Sequence, residues 1–211
     1  PVSELFPNVA RHVDDLCVLN SVYGTNPAHG GACLKLNTGS DNFIRPSMGS
    51  WVSYGLGTEN NNLPGFITIC PTLAHGGVRN FSSAFLPARY SATPMGVASA
   101  PSKTARVKFT QNDSISREQQ RLQLDLLGQL NRGHIEKAGA FAELESRINS
   151  FELAFRMQHE IPQVEDISDE SDSTLKLYGM NEPVTEDFGR QCLLARRFAE
   201  RGVRFVQVTH S

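Results

Sequence analysis

The feature that most limits the fold is a set of three short apolar runs, at residues 16–22, 66–70 and 203–208. Each has the length and branched composition of a strand and is too short for a packed helix. Leu63-Pro64-Gly65 makes a turn before the second run, and Gly202 stops a helix just before the third. Helical segments separate them. One runs from Pro27 to Gly39, with Asn26 as N-cap, Pro27 at the first helical position and Gly39 as the stop. A second starts near Pro46 and runs through Trp51 to Gly55 or Gly57. Strands joined through helices pair in parallel, so this order predicts an α/β fold: a mostly parallel sheet flanked by helices.

The rest of the chain hangs on that frame as one domain over 1–211. Residues 1–70 carry the strand and helix core, opening with a short helix over 3–12 that Ser3 caps. Residues 71–116 read as a long loop rich in Gly, Pro, Ala and Ser, and a loop of that length is usually functional or packed by its own side chains. Residues 117–160 read as a helical hairpin divided near 131–134. Leu122, Leu126 and Leu130, then Phe141, Leu144, Ile148, Phe151 and Phe155, recur at steps of three and four and predict a buried face. Residues 161–187 form an acidic connector: from Glu160 to Asp187 there are nine acidic residues and one basic, Lys176, which reads as a solvated link. Residues 188–211 give a helix, with Cys192, Ala195 and Phe198 inward, and the last strand.

Composition narrows the partners. With 39% hydrophobic and 20% charged residues and a net charge of −2, the chain is an ordinary globular protein. It has no run of about 18 apolar residues, the length a membrane span needs. Nucleic acid is a poor partner, because the basic residues are scattered and the balance is slightly acidic. Cys17, Cys33, Cys70 and Cys192 lack metal or redox spacing and read as buried thiols acting as small hydrophobes.

The passage from strand to helix at residues 18–39 is where chemistry can sit. It puts Thr25 and Asn26 at a helix start, where unpaired N–H groups and the helix dipole attract anions. A hydroxyl there can attack a phosphate or sulfate ester if a metal or base lies near, with Asn26 binding the developing charge. The same residues are also simply a good helix start, and a lone His such as His29, one turn on, is more often a hydrogen-bonded structural residue than a ligand. Both readings stay open. Between Asn60 and Asn112 there is no Asp or Glu, while Arg79, Arg89, Lys103, Arg106 and Lys108 are present. Folded over the strand ends, that segment would offer Arg79 and Arg89 to an anionic substrate. His210 follows the last strand, at the carboxyl end where α/β proteins bind ligands, and is a candidate metal ligand.

Several runs resemble a large bacterial family, the domain of unknown function 1501. They are residues 14–21 (Asp14-Asp15-Leu16-Cys17-Val18-Leu19-Asn20-Ser21), 46–57 (Pro46-Ser47-Met48-Gly49-Ser50-Trp51 to Gly57), 62–66, 85–87, 150–158 and 201–208. That family is described as sulfatase-like and grouped with the alkaline-phosphatase superfamily. The resemblance implies that fold, with the hairpin as an insertion and the chain as an incomplete domain lacking both ends and inactive alone. Thr25-Asn26-Pro27-Ala28-His29 with Thr38-Gly39 looks like the nucleophile loop of the nucleotide pyrophosphatase/phosphodiesterase members, except that Ala28 replaces an Asn and the spacing to Thr38 is two residues longer. Carried over, Thr25 is the nucleophile, and a divalent metal such as zinc or calcium serves the parent protein. The implied substrate is an anionic small-molecule or glycan ester. The alternative is a non-catalytic relative that binds anionic glycans or other polyanions. A third reading makes the hairpin a docking or oligomerisation arm.

Overall fold

The computed structural model describes residues 2–110, 112, 114–138 and 142–209. In chain order its helices and strands are α1 (Pro7–Ala10), α2 (His29–Thr38), α3 (Met48–Leu56), β1 (Phe66–Ile69), β2 (Thr93–Met95), α4 (Arg117–Ala138), α5 (Ala142–Glu165), α6 (Asp172–Leu177), α7 (Glu186–Glu200) and β3 (Phe205–Val208). The three strands form one parallel sheet in the order β2-β1-β3. Phe66 stands opposite Phe205 and Ile69 opposite Val208, while Ile67 to Ile69 pair with Thr93 to Met95. The α/β class and the parallel sheet flanked by helices are therefore present.

β1 is central, and all four of its residues are buried. Its alternation divides the core in two. Ile67 and Ile69 pack with Met157, Ile161 and Val164 of α5 and Leu194 and Phe198 of α7. Phe66 points the other way, to Phe81 and Ala92, with Phe205 edge-on at 5.1 Å between ring centres. α3 closes on this pair through Gly49, where an added Cβ would lie 2.6 Å from both rings.

β2 is the strand that the predicted loop over 71–116 conceals. It is three residues long and contains Pro94, which a sheet tolerates on an edge strand. The same stretch also holds 3-10 turns at Gly77–Phe81, Ala88–Tyr90 and Ser102–Thr104. The opposite correction falls on residues 16–22. They form no strand, and Leu16, Val18, Leu19 and Val22 stand exposed. An apolar run becomes a strand only where an edge takes its hydrogen bonds and a layer covers its side chains, and here it meets neither. Cys17 is exposed with it, whereas Cys70 is buried and its thiol is pushed up to about 11 by burial and, second, by the charge of Asp187.

The hairpin forms, but its buried face is not the predicted one. Leu122, Leu126, Leu130 and Phe151 are exposed; residues 131–134 lie within α4 and do not divide the hairpin, and Phe141 lies outside the described residues. What joins α4 to α5 is polar: Arg121 donates to both oxygens of Glu152, at 2.8 and 2.6 Å, and lies over the Phe155 ring. Among the described residues α5 enters the core through Met157, Ile161 and Val164, with Leu153 packed against them.

The acidic connector is not merely solvated. The buried Arg197 of α7 reaches into it, donating to the carbonyls of Gln163, Val164 and Asp166 and to the carboxylates of Asp169 (2.8 Å) and Glu170 (2.6 Å). Bonds from Arg196 and then Arg197 hold the Glu170 carboxyl below its ordinary range. Arg106 from the acid-free segment pairs with Glu165, and Asp187 accepts the Ser102 N–H, so some of that segment's polar groups serve packing.

Candidate functional site

The turn into α2 is built by one carboxamide. Asn26 Oδ1 accepts the N–H of Ala28 at 2.9 Å, and its Nδ2 donates to Asp41 Oδ2 at 2.9 Å. Ala28, with extended backbone, stands at the N-cap and His29 opens the helix, two residues later than predicted. Gly39, with φ of 75°, ends it as predicted. Asn26 lies flat on the helix because residue 31 is glycine: a Cβ there would sit 2.1 Å from Asn26 Nδ2. Its bond holds the Asp41 carboxyl low, Asp41's own backbone N–H next, with a smaller contribution from Lys35.

Thr25 stands exposed just before this turn, and its hydroxyl accepts a bond from the ammonium of Lys35, two turns along α2. That contact sets a cation on a hydroxyl three residues ahead of the N-cap of a ten-residue helix. Such a place is electropositive and can hold an oxyanion. Lys35 and Asp41 were not read from the sequence. The only available signals were a lysine inside an otherwise uncharged helix and an aspartate just past its stop.

His29 faces a second loop. Its ring centre is 5.1 Å from that of His75, with the planes tilted by 49°. The His75 loop is held from beneath by amides: the buried Asn80 donates to the His75 carbonyl at 2.9 Å, and Asn37 of α2 reaches Asn80 at 3.5 Å. Gln207 of β3 donates to the Asn37 Oδ1 at 3.4 Å. The network ties the start of α2 to the carboxyl half of β3, the edge at which α/β sheets present their ligands.

The remaining candidates are dispersed. Arg79 sits exposed on the Gly77–Phe81 turn, an element that packs on α2. Arg89 folds onto its neighbour Tyr90, donating to the phenol oxygen at 2.7 Å, within an aromatic group that includes Tyr54, Trp51 and Phe85 beside α3. His210 lies outside the described residues. Among the described residues no three His, Cys, Asp or Glu side chains gather as a metal-ligand set. No helix among the described residues is long and apolar enough to cross a membrane.

Comparison with known proteins returns one family model, Protein of unknown function (DUF1501), which matches residues 1–211. No curated protein and no solved structure matches.

Proposed function

The chain belongs to the DUF1501 family, and we propose that it carries the oxyanion-binding part of a hydrolase of sulfate or phosphate esters, on the sulfatase-like fold of the alkaline-phosphatase superfamily. The observation that supports this is the bond from Lys35 to the exposed Thr25 hydroxyl at the start of α2. A cation on that oxygen lowers the cost of negative charge on it, and the same ammonium and the helix N–H groups neutralise the ester's oxyanion. Thr25 is the proposed nucleophile. Asn26 keeps the turn in shape through Ala28 and Asp41, and His29 begins the helix whose dipole faces the substrate.

The test is turnover by the full-length protein of an aryl sulfate, a phosphomonoester and a phosphodiester, each with and without added zinc or calcium. The reading expects turnover of at least one ester and its loss, by about 100-fold or more, in Thr25→Ala. A folded protein that turns over none of them rejects it.

The second reading, a non-catalytic scaffold that binds anionic glycans or other polyanions, is favoured by one detail: the bond that reaches Thr25 comes from a donor, not from a base. It expects saturable binding of a sulfated glycan that survives Thr25→Ala and weakens in Lys35→Met. Turnover together with loss of binding in Thr25→Ala would reject it.

A further inference from the structure

We propose that His29 and His75 form a two-histidine site for a borderline divalent cation, zinc in the first instance, with its other positions open to water or an exchangeable anion. The proposal stands on the geometry of the two rings and does not depend on ester hydrolysis.

The separation fits. With zinc–nitrogen bonds of about 2.0–2.1 Å and each ring centre about 1.1 Å beyond its nitrogen, two imidazoles at a tetrahedral angle stand about 5.2 Å apart, centre to centre. The observed separation is 5.1 Å, and both residues are exposed, so an ion can reach them from solvent. Imidazole pairs suit zinc, nickel, copper and cobalt, and do not suit calcium or magnesium, which take oxygen.

The backbone beneath His75 is shaped for the placement. His75 has φ of 51°, a left-handed conformation uncommon outside glycine, and Gly76 and Gly77 continue it at 105° and 57°. Asn80 fixes the His75 carbonyl from inside the protein. The loop lies against α2 at Gly30, where an added Cβ would meet the His75 backbone in ordinary van der Waals contact at 3.7 Å. The buried amide thus holds the His75 turn in place, with its ring presented to a histidine on another element.

The experiment is calorimetric titration of the full chain with zinc chloride alone, repeated with cobalt and read by its visible absorption. One bound ion per chain is expected. His29→Ala and His75→Asn should each weaken binding at least 10-fold, and the double variant no further than the loss of the site. Asn is chosen at 75 because it tolerates the left-handed backbone, so that variant should keep the wild-type melting temperature. His12→Ala, on an exposed histidine elsewhere, should bind as the wild type does. Zinc binding that persists unchanged in the folded His29→Ala and His75→Asn variants, or no zinc binding by the wild type, would overturn the proposal and leave a ring–ring contact only. No substrate enters the measurement, so its failure is separate from failure to turn over an ester.

Discussion

The two faces of the sheet are built differently. On the face reached by Ile67 and Ile69, α5 and α7 bring an apolar layer, and Ile161, Val164 and Phe198 have no exposed surface. On the face reached by Phe66 the buried apolar cluster among the described residues is Phe66, Phe81 and Ala92, with Phe205 packed against it, and α2 contributes no fully buried residue. The polar groups follow the same division. Arg197 is buried and satisfied by carbonyls and carboxylates, whereas Lys35 meets Thr25, and His29 meets His75, near the surface. One face carries the stability, and the thin face keeps exposed the groups that could meet a ligand.

Truncation should reveal that division most strongly at Phe198. Phe198→Ala removes a fully buried ring from the thick face and should cost about 3–5 kcal/mol. Leu36→Ala, on the 80% exposed side of α2, should stay within about 0.5 kcal/mol. Denaturant unfolding of both variants checks the contrast. Equal losses would show that the two faces are not divided as described. Next comes Arg197→Met, which leaves Glu170 and three carbonyls without their buried donor. Breaking such a constellation costs about 3 kcal/mol, again by denaturant unfolding. On the thin face, Gly49→Ala should cost about 1–3 kcal/mol, because the new methyl must displace rigid rings.

Acid should separate two glutamates of the thick face. Glu170 is held below its ordinary 4.5 by Arg196 and Arg197, so it adds stability above that pH and loses it as pH falls toward its folded value. Glu165 is raised by burial, against the Val107 N–H and Arg106, so its folded form keeps a proton longer and stability declines as pH rises through 4.5. Unfolding free energies from neutral pH down through that value should show Glu170→Gln flattening the acid loss and Glu165→Gln steepening it.

How far this division was legible in the sequence depends on whether a residue's partner is local. β1, β3 and α7 were readable because a short apolar run between a turn and a helix, or an amphipathic repeat with a glycine stop, is a local pattern. The same rule over-reached at residues 16–22 and on the leucines of α4. There the pattern is present, but nothing covers it among the described residues. It under-reached at β2, where three residues including Pro94 become a strand only because β1 lies beside them. At the candidate site the sequence pointed to Thr25, Asn26 and His29, all on one turn. Their partners, Lys35, Asp41 and His75, are brought in by the helix rise and by loop closure. Ring separation between residues 29 and 75 has no signature in composition or period.

A small effect on stability is the one that bears most on function. Thr25→Ala and Lys35→Met remove one exposed bond on the thin face, and exposed polar contacts contribute little, so each should change unfolding free energy by less than about 1 kcal/mol. If the cluster is a ligand site, the ester-hydrolase reading expects both changes to abolish turnover, and the scaffold reading expects only Lys35→Met to weaken binding of a sulfated glycan, with the fold untouched in each case. The two variants then separate the readings. Loss of turnover in both supports Thr25 as nucleophile, and loss of binding in Lys35→Met alone supports a scaffold that holds anions without attacking them. A drop in stability of several kcal/mol in either variant would instead make the bond structural, and the contrast between a stabilising face and a ligand-facing one would fail where it is most sharply drawn.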